Sequence, residues 1–345
     1  MLKNDIMVYV KTTETCNLNC DHCFTSGTRG AKIYFNPDKV ARWVNELKKQ
    51  NPQLSGHFEF HGGEPFLAPV EDMERFYELT QEYWNGDATY GITSNLVIKL
   101  TEKRLAFLDE VCNKRMGTSW DPTIRFDNEK QRALFESNVK LLLDRGYTIK
   151  LFVSLTNDTI EMGPAKLMHY VKSLGVQEMA LERITHDGNA TLNPVFPTNL
   201  ALQQYFLDMH KFIKDNDARD WFDNEFMENV YSKFETGYTG AGTFCRDCEQ
   251  KLFTINGDGS IAGCPNSAPT SAFGHIDEDP SIVLNAPKRC EVIMSELSRD
   301  PRCYECKVYK YCGGDCHQLA WEGDICGAPR FLMKELNEEY NGNIN

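Results

Sequence analysis

Cys16, Cys20 and Cys23 stand close enough along the chain to hold one metal centre. Three thiolates match three corners of a [4Fe–4S] cube, which normally takes four. The fourth iron is then left without a nearby cysteine. An open coordination position marks a catalytic rather than a structural metal site, and an amine and a carboxylate of a bound molecule could occupy it. The alternative is a zinc knuckle with His22 as its fourth ligand. A second constellation is His61-Gly62-Gly63-Glu64-Pro65. Its two glycines let a ligand approach the backbone closely. Glu64 offers a carboxylate to an ammonium group, and Pro65 fixes the turn. Taken alone, this segment describes a tight turn with a surface glutamate equally well.

The remaining cysteines are concentrated near the other end: Cys245, Cys248, Cys264, Cys290, Cys303, Cys306, Cys312, Cys316 and Cys326. The run Cys303-x2-Cys306-x5-Cys312-x3-Cys316, followed by Cys326, suits iron–sulfur clusters, and zinc ribbons with Cys-x2-Cys pairs are the alternative. Just before it, residues 253–261 read as a hairpin around Asn256-Gly257. Cys112 shares a face with Leu105 and Leu108 and is expected to be a packing residue. Cys290 is either a spare thiol or a ligand in place of Cys245 or Cys248. His61, His186, His275 and His317 are expected to be structural.

The chain that positions these groups has 345 residues and a formal net charge of −13. Nucleic-acid binding needs clustered Lys and Arg, so a phosphate backbone is not expected as a partner. No run of eighteen apolar residues suggests a membrane span, and the first residues lack a signal-peptide pattern. The expected location is the cytoplasm, where thiols stay reduced and close cysteine spacings favour metal ligation over disulfides.

Short β-rich runs at 7–11, 57–61, 89–93, 114–119, 148–153 and 176–181 alternate with amphipathic helices. Asn36-Pro37 starts one with Val40, Val44 and Leu47 on a face. Phe135, Val139 and Leu142 line another, stopped by Gly146, and Leu167, Val171 and Leu174 a third, stopped by Gly175. Six βα units imply an α/β fold with a parallel sheet curled into a partial barrel. Such sheets carry their chemistry in loops after the strands, where both N-terminal motifs fall. Residues 186–199 read as a loop before a helix bearing Leu202, Phe206, Met209 and Ile213, and the tail from 337 onward as frayed. The expected divisions are 1–190 for the barrel, 191–240 for a helical bridge, 241–330 for a cysteine-rich domain, and 331–345 for a terminal helix end and tail.

CxxxCxxC after the first strand and GGEP after the second resemble the radical S-adenosylmethionine (SAM) superfamily. The resemblance implies a partial (β/α)6 TIM-like barrel and a [4Fe–4S] cluster on Cys16, Cys20 and Cys23. It implies SAM on the open iron, with Gly62, Gly63 and Glu64 at its amine. Thr93-Ser94-Asn95 and Ser119-Trp120-Asp121-Pro122 stand where relatives touch the SAM ribose and carboxylate, which makes Asn95 and Ser119 candidates. The C-terminal third is similar to the SPASM domain, with Gly259-x4-Cys264 and the 303–316 block matching its pattern. By that resemblance, one auxiliary [4Fe–4S] cluster takes Cys245, Cys248, Cys264 and Cys316, and the other Cys303, Cys306, Cys312 and Cys326. The expected activity is reductive SAM cleavage to a 5′-deoxyadenosyl radical and hydrogen abstraction from a peptide or protein. An external reductant of flavodoxin or ferredoxin type is expected to supply the electron. Sulfatase maturases carry an acid directly after the Gly-x4-Cys cysteine; here that residue is Pro265, followed by Asn266, so a ribosomal-peptide maturase is the preferred reading. A small-molecule dehydrogenase and a non-catalytic metal scaffold are the alternatives. No general base is singled out by spacing.

Overall fold

The structure, a computed structural model, describes residues 2–342 except Ser26, Pro194, residues 238–243, Cys245 and residues 267–270. Strands β1 (Asp5–Thr13), β2 (Ser55–Gly62), β3 (Ala88–Ile92), β4 (Arg115–Trp120), β5 (Thr148–Ser154) and β6 (Glu178–Glu182) alternate with helices α1 (Pro37–Gln50), α2 (Val70–Trp84), α3 (Glu102–Glu110), α4 (Glu129–Asp144) and α5 (Asn157–Leu174). β1, β2 and β3 pair in parallel, as do β4, β5 and β6. A parallel bridge from Thr93 to Gly117 joins the two groups.

The two faces of this sheet differ in chemistry. Ile6, Val8 and Val10 of β1 are buried, as are Ile149, Leu151 and Val153 of β5. Phe58 packs edge-on against Phe76 and Trp84 of α2, and Phe60 against Phe107 of α3. Alternation puts Tyr9, His61, Phe152 and Glu182 on the opposite face. Residues from all six strands (Tyr9, His61, Thr93, Ser119, Phe152, Glu182) line one cavity, Thr93 standing at the end of β3, so the sheet is curled around it. An all-parallel sheet is ordinarily apolar on both faces; here the concave face mixes apolar side chains with His61, Thr93, Ser119 and Glu182.

The helix signals have local causes. The Asn36 side chain accepts from the Lys39 N–H, and Pro37 opens α1, which buries Val40, Trp43, Val44 and Leu47. Each fully buried aliphatic side chain stabilises the fold by about 1.5–3 kcal/mol. Gly175 ends α5 in the left-handed conformation. That helix begins earlier than the Leu167 stripe suggests, with a break at Gly163, whose φ of +77° precedes Pro164.

Several boundaries shift. The fourth strand extends through Trp120, so Ser119 lies within β4 rather than in the following loop. The sixth runs 178–182 instead of 176–181, which leaves Glu182 at its carboxyl end. Beyond it come α6 (Asn199–Asp215), a two-residue strand β7 (Asp223–Asn224) beside β6, and α7 (Glu225–Glu235). The expected face of α6 is buried: Leu202, Phe206, Met209 and Ile213.

The cysteine-rich segment contains α8 (Cys248–Lys251), β8 (Leu252–Ile255), β9 (Ser260–Ala262), β10 (Gly274–His275), α9 (Pro280–Leu284), α10 (Pro287–Leu297), α11 (Pro301–Tyr304), α12 (Tyr309–Cys312) and α13 (Arg330–Asn341). β8 and β9 form the expected antiparallel hairpin around residues 256–259. β8 also pairs in parallel with β1, from Met7–Leu252 to Val10–Ile255, so this segment continues the barrel's sheet. The tail expected to fray is helical through Asn341, because Leu332, Met333 and Leu336 of α13 are buried. Among the described residues, no helix is long and apolar enough to cross a membrane.

Candidate functional site

The loop bearing Cys16 is held to the second strand by backbone hydrogen bonds. The N–H groups of Gly63 and Glu64 donate to the carbonyls of Thr13 and Thr15 at 2.9 and 3.0 Å. This carries the β1–β2 contact to the residue before Cys16. A Cβ on Gly62 would lie 2.3 Å from the Thr13 oxygen, and one on Gly63 2.1 Å from the Thr15 oxygen. The glycines therefore admit the cysteine loop itself, a reason the sequence does not reveal, while also lining the cavity.

Glu64 differs from its expected arrangement. Its side chain is fully buried. Oε1 accepts from the Phe66 N–H (3.1 Å) and the Ser94 hydroxyl (2.9 Å), and Oε2 from the Asn95 N–H (2.8 Å). The carboxylate thus ties the loop after β2 to the loop after β3 instead of presenting itself to an ammonium group. Burial raises its pKa to about 7, against the lowering effect of those donors. Glu64→Gln is expected to lower stability by about 1–3 kcal/mol, because one acceptor becomes an NH2 group facing buried donors. A lower urea midpoint at unchanged slope would register it; an unaltered midpoint would show that the clamp is dispensable.

Asn95 is also committed locally. Its Oδ1 accepts from the Val97 N–H at 2.8 Å, and its Nδ2 donates to Asn17 Oδ1 at 2.7 Å and to Cys16 Sγ at 3.5 Å. It backs Cys16 as well as lining the cavity. Leu18 N–H also donates to Cys16 Sγ, at 3.4 Å. Burial pushes the Cys16 thiol to about 11 and the Cys20 thiol to about 12. The thiolate forms needed for ligation thus call for positive charge close by.

One such charge comes from a residue the sequence reading did not single out. Arg125 is 8% exposed and lies beside the cysteines, where it lowers the Cys20 pKa. Its Nε is 3.2 Å from Asp121 Oδ2. His22 Nε2 lies 3.0 Å from an Arg125 guanidinium nitrogen and 3.1 Å from Ser154 Oγ. Burial holds His22 near 4, hence neutral. Nε2 of the imidazole that a zinc knuckle would recruit is engaged with arginine and serine, while its Nδ1 has no hydrogen-bond partner among the described residues. The spacing between His22 and Arg125 is 103 residues, so no local pattern announces the pair.

The cavity has a volume of about 390 Å³, within the usual range for small-molecule sites. It is lined on the barrel side by Cys16, Cys20, Cys23, Gly62, Gly63, Asn95 and Ser119, and from the cysteine-rich segment by Cys248, Cys264 and Cys316, together with Pro265 and Asn266. The expected ligand Cys245 lies outside the described residues. Glu296 accepts from the N–H groups of Cys248 (2.9 Å) and Glu249 (3.0 Å). Glu249 in turn accepts from the Cys264 N–H and lies 3.2 Å from His317 Nε2. Buried carboxylates thus organise this wall.

A second, smaller cavity is lined by Cys303, Cys306, Cys312, Cys316 and Cys326. Asp315 borders both cavities. It forms a bidentate ion pair with Arg183, which follows β6, and accepts from the Cys316 N–H at 2.7 Å. Arg183 also donates to the Gly327 carbonyl at 3.0 Å. Cys290 is exposed on α10 and lines neither cavity, and Cys112 is buried beyond α3. His61 lies in the main cavity wall against Tyr9 and Phe24, while His186 stacks on Phe196 at 3.7 Å.

Residues 10–122 match the family model described as the Radical SAM superfamily. The cysteine-type anaerobic sulfatase-maturating enzyme of Clostridium perfringens (strain 13 / Type A) is 24% identical over 331 residues, covering 88% of this chain and 86% of that protein. The solved structure of native anSMEcpe with bound AdoMet and Cp18Cys peptide superposes with a TM-score of 0.80 at 18% identity, covering 97% of this chain and 96% of the other. Streptococcus suis SuiB bound to precursor peptide SuiA superposes at 0.65 with 14% identity, covering 91% and 72%. These likenesses establish the fold.

Proposed function

We infer that this chain, which carries a radical SAM domain over residues 10–122, is a radical SAM enzyme, and that it oxidises a peptide or protein held between its two cysteine-bearing walls. The observation that carries the reading is the single cavity reaching from Cys16, Cys20 and Cys23 to Cys248, Cys264 and Cys316. Cys16, Cys20 and Cys23 would hold a [4Fe–4S] cluster. The donor set fits, since these described thiols are free and line one cavity. Gly62, Gly63, Asn95 and Ser119 line the space beside them, where SAM would bind. Once bound, cluster and SAM supply a 5′-deoxyadenosyl radical that removes hydrogen from an unactivated carbon.

The chain's own groups do the rest. Arg125 adds positive charge beside buried thiols, Asn95 orients Cys16, and Phe24, Phe152 and Leu252 make the middle of the cavity apolar. Cys245, Cys248, Cys264 and Cys316 would hold one auxiliary cluster, and Cys303, Cys306, Cys312 and Cys326 a second. An outside one-electron donor of flavodoxin or ferredoxin type would serve the first cluster. The similar structures solved with bound peptides support a peptide substrate.

A second reading is a sulfatase maturase, favoured by likeness to the Clostridium enzyme along nearly the whole chain. Against it stand Pro265 and Asn266, where maturases place an acid. The test is anaerobic reconstitution with SAM and dithionite. Roughly twelve irons from three [4Fe–4S] clusters are expected, with release of 5′-deoxyadenosine. A ribosomal peptide encoded beside the gene should lose two hydrogens, whereas conversion of a sulfatase cysteine peptide to its aldehyde would favour the second reading. Zinc in place of iron, without SAM cleavage, would overturn both.

A further inference from the structure

Four carboxylates border the main cavity: Glu182, Glu249, Glu296 and Asp315. Three are committed. Glu249 is bonded to the Cys264 N–H and faces His317, Glu296 caps the amides of Cys248 and Glu249, and Asp315 holds Arg183. Glu182, at the carboxyl end of β6, makes no side-chain hydrogen bond among the described residues. Its side chain is exposed and lines the cavity, with protein packed around it. Its charge reaches the Tyr9 hydroxyl on β1.

We propose that Glu182 is the general base, the group that receives the proton a substrate loses between the two cysteine-bearing walls. This rests on the radical SAM reading above. The balance is as follows. A substrate C–H bond gives its hydrogen atom to the 5′-deoxyadenosyl radical, leaving a carbon radical. An X–H bond of the substrate, where X is nitrogen, oxygen or sulfur, breaks with its proton going to a Glu182 oxygen. Its electron pair forms the C–X bond with the carbon radical. The one surplus electron passes to an oxidised iron–sulfur cluster of the cysteine-rich segment. Two hydrogens leave in all, one as an atom and one as a proton plus an electron.

The surroundings suit a base. Partial desolvation by the surrounding protein raises the Glu182 pKa toward about 7, and Glu225 of α7 pushes the same way, against Arg183 and Lys150 of β5; water reaching this exposed side chain screens the shift. A base poised near the working pH is most effective. The competing cavity groups are less suited. Burial holds the Tyr9 hydroxyl well above 10, so it stays protonated. Burial holds His61 near 4, which leaves it a weak base. His317 is bonded to Glu249 and Ser295.

The test compares holoenzyme with Glu182→Gln and Glu182→Asp, using SAM, dithionite and a synthetic sulfatase-type cysteine peptide. For Glu182→Gln, 5′-deoxyadenosine should form within a few-fold of the parent rate, while oxidised peptide falls on the order of 10²–10⁴-fold. Glu182→Asp should recover part of it. Parent product formation should rise with pH through about 7, because the ionised carboxylate is the base, and the Gln variant's residual rate should lack that rise. Independently of turnover, infrared difference spectra between parent and Glu182→Gln should show a protonated-carboxyl band that disappears over the same pH range. Product formation by Glu182→Gln at the parent rate, or a band titrating with ordinary carboxylates, would overturn the assignment while leaving the radical SAM reading intact. A parent protein that never cleaves SAM would remove both.

Discussion

Cys16→Ala is expected to abolish 5′-deoxyadenosine formation and to remove about four irons while leaving the C-terminal irons in place. A cube held by two thiolates has lost a corner: Nε2 of His22 is bonded to Arg125 and Ser154, and Asn95 offers Cys16 a donor, not an acceptor. The change is small in volume and sits in a loop fixed by backbone bonds from Gly63 and Glu64, so the barrel should still fold. Cys290→Ala is the matched control, since that thiol is exposed and borders neither cavity. Equal SAM cleavage by Cys16→Ala and the parent would remove the N-terminal cluster from the argument. Loss of all irons would instead mean that the clusters load cooperatively.

Arg183→Ala should destabilise the fold strongly, by about 3–5 kcal/mol. The side chains of Arg183 and Asp315 are 6% and 3% exposed, so removing the cation strands a carboxylate away from water. It also frees the Gly327 carbonyl and takes a cation from the face of Phe226. The cost arises from leaving one partner behind. A double change to apolar residues of similar volume should therefore be milder than the single one, and a double-mutant cycle would show strong coupling. Because Asp315 adjoins Cys316 and borders both cavities, iron content should fall first in the C-terminal segment. A melting curve matching the parent's would mean that the pair fills space without supporting the fold.

The six strands were legible because a parallel barrel repeats one signal: β-branched and aromatic runs in alternation, followed by an amphipathic helix. The grouping of Cys16, Cys20 and Cys23 beside Gly62 and Gly63 was legible because it depends on local spacing after two strands, whereas the close approach of those glycines to the Thr13 and Thr15 carbonyls was not. The tertiary clusters were not. Arg125 meets His22 and the cysteine loop only after four strands have curled around. Arg183 and Asp315 are 132 residues apart. Glu182 became visible only when β6 proved to end on it, since an acid at a strand end is otherwise an ordinary surface residue. Glu64 was recognised as important and given a different job, because sequence reveals that a carboxylate is present but not that three donors already surround it. β7 has two residues, too few for any periodicity to register.

The alignment of β8 beside β1 bears on how the polypeptide matures. Strand β1 waits for a neighbour, β8, made some 240 residues later. Until that neighbour arrives, β1 keeps one unpaired row of amides, an invitation to mispairing. Bringing such distant partners together is slow, since loop closure must precede any gain from contact. Truncating the C-terminal third would therefore leave an aggregation-prone stump rather than a free-standing barrel.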